Sequence, residues 1–291
     1  MRLFLLSWLL VGPAALAQTA PPAEPAGAPS ESARAAEAAG LAKRAAEEYT
    51  FSRDPKGRTP LPLKLDPNPL LQWSNPVAGS IHGTVFVWTS QGRPEAVASI
   101  YKWYGPKYHH LGVEFHSLST APVSAAREGK VIWSSEEPGA AFAPVPGAPA
   151  PAEGAAQRLR QMRDMANEFT ASETTRENVV RELRLLTRPV YRDAGTHPVA
   201  FDGALFAFVE GTDPEVFLRL EARKGDAGRP EWVYSLTRMN SLGVRARHRG
   251  HEVWSVPEMP WEVVFSHRKP YTVFLYQPGE SVNPPGPPDP Q

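Results

Sequence analysis

Gly83-Thr84-Val85-Phe86-Val87-Trp88 is read again, 120 residues further on, as Gly203-Ala204-Leu205-Phe206-Ala207-Phe208. At the same offset Pro94-Glu95 returns as Pro214-Glu215, and Ala46-Glu47-Glu48-Tyr49-Thr50-Phe51-Ser52 returns as Ala166-Asn167-Glu168-Phe169-Thr170-Ala171-Ser172. Between 43–102 and 163–222, 11 of 60 positions are identical, where chance gives about 3 or 4. Internal likeness at a fixed spacing predicts a duplicated unit.

The quoted stretches read as first arms of hairpins. Thr84–Thr89 leads through a turn at Ser90–Arg93 to a strand over Glu95–Lys102. Ala204–Val209 leads through Glu210–Asp213 to Glu215–Arg223. In the last of these, Val216, Leu218, Leu220 and Ala222 share one face, and Phe217, Arg219, Glu221 and Arg223 share the other. That alternation predicts one buried and one wetter face.

Outward from the hairpins, helices are expected over Glu31–Tyr49, rich in Ala, Glu, Lys and Arg, and over Ala155–Phe169. Pro62 rules out a helix interior at 61–65, so this stretch and its mate around Leu183 and Leu185 are expected as short strands. Further strands are expected at Val113–Leu118, Lys130–Ser134, Val233–Thr237, His251–Ser255 and Tyr271–Tyr276. The fold class that follows is α+β, an internal duplication of a helix-plus-antiparallel-sheet unit about a pseudo-twofold axis. The units are 31–137 and 156–277, joined by a Pro/Ala linker at 138–155.

Residues 1–17 read as a signal peptide, with Arg2, a short apolar run and Ala15-Leu16-Ala17 before the expected cleavage site. Residues 18–30 and the Pro-rich 278–291 are expected as a disordered leader and tail. The chain has no Cys, which excludes disulfides and thiol chemistry. Its 31 Lys plus Arg balance 31 Asp plus Glu, so no basic excess announces nucleic acid. The expected location is secreted or periplasmic. No membrane span is expected after signal cleavage, and no cofactor.

Glu95 and Glu215 each follow Pro at the start of a strand; brought together by a twofold axis, they would form a general acid/base pair. His110, Glu114 and His116 are the densest group of ligand-type side chains and are the metal candidates, although no zinc motif spacing frames them. Trp103, Tyr104 and Tyr108 lie in a Gly/Pro-containing loop and are the ligand-binding candidates, because exposed aromatics beside polar groups suit sugars, peptides or partner surfaces. No Gly-x-Ser-x-Gly elbow and no Gly-rich phosphate loop is present.

Asp202-Gly203-Ala204-Leu205-Phe206, Pro214-Glu215 and Trp232-Val233-Tyr234-Ser235-Leu236, with Trp73-Ser74-Asn75-Pro76 and Glu114-Phe115-His116-Ser117-Leu118 upstream, resemble a group of uncharacterised secreted proteins from planctomycete bacteria. The resemblance implies export and a shared fold, and carries no activity. The expected function is a non-enzymatic module that binds an extracytoplasmic ligand or protein. The alternative is a hydrolase using the Glu pair or a His/Glu metal site between the units.

Overall fold

The computed structural model describes residues 29–54, 59–75, 79–104, 110–193, 195, 197–225 and 228–276. In the first part of the chain lie α1 (Glu31–Glu48), β1 (Tyr49–Arg53), β2 (Leu61–Pro62), β3 (Lys64–Leu65), β4 (Leu71–Ser74), β5 (Ile81–Ser90), β6 (Arg93–Trp103), β7 (Leu111–Ser117), β8 (Val123–Arg127), β9 (Lys130–Ser134) and β10 (Ala143–Pro144). There follow α2 (Ala155–Ala166), β11 (Phe169–Thr174), β12 (Val180–Leu185), β13 (Tyr191–Asp193), β14 (Ala200–Glu210), β15 (Asp213–Lys224), β16 (Pro230–Arg238), β17 (Gly243–His248), β18 (His251–Val256), α3 (Trp261–Val264) and β19 (Tyr271–Tyr276).

The two central hairpins close through two-residue turns. Ser90 pairs with Arg93 across Gln91 and Gly92, whose φ angles are 50° and 81°. Positive φ at both central positions matches the right-handed twist of the strands, and glycine makes the second cheap. Glu210 pairs with Asp213 across Gly211, at φ 60°, and Thr212. All sheet pairing is antiparallel. One sheet runs β19-β7-β6-β5-β3, with β4 also on β5, and a small one runs β2-β1-β8-β9. The largest has nine strands, because β12 pairs with β11 through its first half and with β14 through its second.

These findings overturn the α+β expectation. Strands hold 51% of the described residues and helices 15%, in three helices, and the sheets are antiparallel and curled. Helix-plus-sheet units do not describe them. β19 closes the edge of the sheet built on β5 and β6. The expected linker is laid on the large sheet: Ala143 and Pro144 pair with Tyr234 and Val233, and buried Val145 donates its N–H to Trp232 O at 2.9 Å. Proline is tolerated there because an edge strand leaves half its donors unused. The strands β1 and β11 replace the expected helix ends, since Tyr49 and Phe51, like Phe169 and Ala171, alternate into the core.

Three apolar layers follow. Phe86, Trp88, Ala98 and Ile100 pack with Ala42, Ala45 and Ala46 of α1. Phe206, Phe208, Val216, Leu218 and Leu220 pack with Met162, Met165 and Ala166 of α2. Between them Val85, Val87, Val97 and Tyr101 meet Leu205, Ala207, Val209 and Phe217. The central hairpins are therefore buried on both faces. The face of β15 expected to be wetter is covered as well, with Arg219 and Glu221 almost fully enclosed. A buried charge needs a partner, and this fixes the polar groups on either side of the middle layer.

Candidate functional site

Two polar clusters flank the middle layer, one with its charges paired and one dominated by carboxyl groups. In the first, Arg93 Nη1 donates to Glu95 Oε1 at 2.6 Å, and Arg93 Nε donates to Glu221 Oε1 at 2.9 Å. Arg219 reaches Asp193 Oδ2 at 3.1 Å and Pro94 O at 2.8 Å, and Arg223 binds Glu221 as well. The Phe142 ring lies 3.8 Å from the Arg223 guanidinium carbon. Burial alone would raise the Glu221 pKa, but Arg219, Arg93 and Arg223 pull it down to about 2. This cluster is internally neutralised and serves the fold.

The second cluster is acidic and lines a cleft of about 250 Å³. Five carboxylates face it, Glu114, Glu173, Glu210, Asp213 and Glu215, together with Arg181. Trp73, Tyr101 and Trp103 form its aromatic walls. The walls depend on two glycines. A Cβ on Gly83 would lie 2.1 Å from the Trp73 ring, and one on Gly112, opposite Tyr101 in the ladder, 2.2 Å from the Tyr101 ring. Trp73 is further held by its indole N–H, which donates to Ser99 Oγ at 3.1 Å. Thr212 Oγ1 accepts from Ser74 N and donates to Ser74 O, each at 2.9 Å. This clasp holds the β14–β15 turn against β4 and brings Asp213 beside Asn75, its hydrogen-bond partner.

The carboxylates are placed by ladder register and by loop 239–242. Glu114 stands opposite Ser99 on β6 and Val273 on β19, and Tyr271 Oη donates to its Oε1 at 3.3 Å. The Asn240 amide nitrogen donates to Glu173 at 2.9 Å and also to Glu215. Arg181 pairs with Glu210 at 2.7 Å and lies 3.8 Å from Glu173. Burial and then the charge of Glu215 lift the Glu114 pKa to about 8, with the hydrogen bonds from Tyr271 and Tyr101 opposing. Glu215 is raised well above its ordinary value by burial, then by Asp213 and Glu173. Asp213 is raised likewise by burial, then by Glu114. Glu173 is raised by burial and then by Glu210. Carboxyls enclosed with like charges keep their protons.

The sequence candidates are redistributed. Glu95 and Glu215 do not share a cleft: Glu215 lines the acidic one, while Glu95 sits with Arg93 and, at 3.5 Å, Arg53. The acid/base pair they were expected to form is therefore absent. Glu114 and His116 do share a strand face, with His116 Nε2 3.8 Å from Glu114 Oε2. His110 instead lies beside the Trp103 ring, 6.0 Å between centroids. No group of three His, Asp or Glu among the described residues is arranged to hold a metal ion, which removes the zinc reading. Trp103 lines the cleft, but Tyr104 turns away and donates its hydroxyl to Arg34 O at 3.0 Å. Tyr108 lies outside the described residues.

Sequence reasoning missed Trp73, Glu173, Glu210, Asp213 and Asn240. Only Asp213 carried a local signal, standing two residues before Glu215 and hence on the same strand face. Among the described residues no helix is long and apolar enough to cross a membrane. Comparison of the chain with protein-family models, with curated proteins and with solved structures returns no match.

Proposed function

We propose that the chain is an exported binding protein that holds a compact ligand in the acidic cleft between Trp73, Tyr101 and Trp103. The observation that supports this reading is the cleft itself. Aromatic walls close over convergent polar groups, the usual composition of a ligand site, and its volume of about 250 Å³ suits a small molecule or a single side chain. The leader read in residues 1–17 supports export. The test is a thermal shift screen of the full chain against small amines, organic acids, sugars and short peptides. A binder present at about 100 times its Kd should raise Tm by about 5 °C or more, and Trp103→Ala should abolish the shift. A screen without one shift that Trp103→Ala removes would refute the reading.

A second reading is favoured by one observation. A carboxyl raised to about 8, such as Glu114, holds its proton at neutral pH as a general acid does. Hydrolysis of chromogenic glycosides or peptides that Glu114→Gln abolishes would support catalysis in the same cleft, and unchanged turnover in that variant would refute it.

A further inference from the structure

We propose that the cleft takes a primary ammonium or guanidinium group, seated among Glu114, Asp213 and Glu215 with its alkyl stem against Trp73 and Trp103. The inference rests on the binding role proposed above and names the ligand chemistry.

The charge count comes first. Five carboxylates and one guanidinium line the cleft. Arg181 is already engaged by Glu210 and lies near Glu173. Among the described residues no Lys or Arg forms an ion pair with Glu114, Asp213 or Glu215, and His116 Nε2 lies 3.8 Å from Glu114 Oε2.

The chemistry of His116 points the same way. Its Nδ1 lies 3.0 Å from Arg238 O. A carbonyl can only accept, so Nδ1 carries the hydrogen and Nε2 presents a lone pair. That nitrogen is fully buried, has no hydrogen-bond partner, and faces Glu114 Oε2 at 3.8 Å. At 3.8 Å the imidazole nitrogen and the carboxyl oxygen are too far apart to hydrogen-bond. His116 therefore gives Glu114 no donor, and five carboxyl groups converge on the cleft. The ligand it suits brings several N–H groups.

Three further features select an organic cation. No three of the ligand-type groups among the described residues are arranged for a metal ion. Indole and phenol faces attract ammonium and guanidinium groups, and both Trp walls stand beside the carboxylates. The volume of about 250 Å³ admits a charged head and a short stem. The raised carboxyls of the cleft agree, since an incoming cation would lower each of them.

The groups facing the three carboxylates are Tyr101 of β6, His116 of β7, Glu173 of β11, Arg181 of β12, Glu210 of β14, Asn240, and Tyr271 and Arg238 behind the β7 wall.

Titration calorimetry on the full chain tests this with butylammonium, guanidinium, a capped lysine amide, butanol and calcium chloride. Butylammonium or guanidinium should bind, and Asp213→Asn should weaken them about tenfold or more. Butanol and calcium should not bind in the cleft. Asp213→Asn should remain folded, which circular dichroism checks, and Glu137→Gln, exposed and outside the cleft lining, should bind as the parent does. Binding of the lysine amide more tightly than butylammonium would identify a basic side chain of a polypeptide as the natural source; the reverse order would identify a free amine. Butanol binding as tightly as butylammonium, or calcium binding in its place, would overturn the inference and leave the binding role standing. Failure of every probe would overturn the inference, and the broader screen would then decide the binding role by itself.

Discussion

Glutamine in place of Glu114 tests whether the cleft holds its carboxyls protonated. The folded pKa is about 8, raised by burial and then by Glu215, against an ordinary 4.5. Between these values the unfolded chain has lost this proton and the folded chain has kept it. The folded state then binds more protons, so stability falls as pH rises from about 4.5 to about 8 and levels off above. At about 1.4 kcal/mol per pH unit the whole span is worth at most about 5 kcal/mol. The Glu114 side chain remains 18% exposed, and solvent relaxation there reduces the expected effect to about 2–3 kcal/mol. Glu114→Gln cannot ionise, and its amide oxygen still accepts from Tyr271. Urea unfolding should place the two proteins within about 1 kcal/mol at about pH 5, and the parent about 2–3 kcal/mol further down by about pH 9. Asp213 and Glu215 tilt both curves in the same direction, so the difference between the curves reports position 114 together with its coupling to these two carboxyls. A gap that stays constant within about 0.5 kcal/mol across that range would refute the reasoning.

Three other perturbations probe the remaining parts. Glu221→Gln removes the carboxylate that Arg93, Arg219 and Arg223 share, leaving Glu95 and Asp193 to face three guanidinium groups, and should cost about 3–5 kcal/mol in urea unfolding at neutral pH; a loss under about 1 kcal/mol would show that the cluster contributes little. The parent should also lose this contribution as pH falls from about 4.5 to about 2, because the Glu221 pKa is depressed to about 2. Gly83→Ala puts a methyl group 2.1 Å from the Trp73 ring, which should cost about 1–3 kcal/mol and weaken any cleft ligand; an unchanged urea midpoint would contradict the seat described for Trp73. Asp213→Arg places a guanidinium beside Glu215, as Arg93 stands beside Glu95, and should flatten the alkaline loss of stability and abolish binding; retained pH dependence would refute the electrostatic account.

Much of the strand framework was legible because the hairpins advertise it. Alternation along Val216–Arg223 and the turns at Ser90–Arg93 and Glu210–Asp213 are local signals, set within a few residues. The fold class was misread for two reasons. The Ala-rich helices are conspicuous in sequence, yet they carry only 15% of the structure. The short strands at Tyr49–Arg53 and Phe169–Thr174 were hidden at the helix ends, where Tyr49 and Phe51 give too few alternations to announce a strand. The site was legible in part. Glu114, Glu215 and Trp103 stood out by type and place, but nothing local marks Trp73, Glu173 or Asn240 as their neighbours. Those arrive from β4, β11 and the loop after β16, brought together by register between distant strands. Reading Arg219 and Glu221 as solvent-facing followed from the same gap, because only tertiary packing shows that the second face of β15 is covered.

One substitution separates the structural cluster from the open cleft. Arg93 and Asp213 hold the same place in the two central hairpins: each begins the second arm, each precedes Pro-Glu, and the backbone oxygen of each of those glutamates accepts from a residue beyond the following strand, Leu118 N at 2.9 Å and Met239 N at 2.7 Å. With arginine at this place, the neighbouring carboxylates are neutralised and the side chain fills the space between them. Aspartate in the same place brings in a further carboxyl, leaves room, and makes Glu215 harder to ionise. A buried group held against its ionisation is costly to keep, and stability alone would select the arginine arrangement, which this chain already uses once. That the cleft retains Asp213, with Glu114 and Glu215 on the same wall and a tryptophan seated by Gly83 and Ser99, is better explained by what the cleft receives than by what it contributes to the fold.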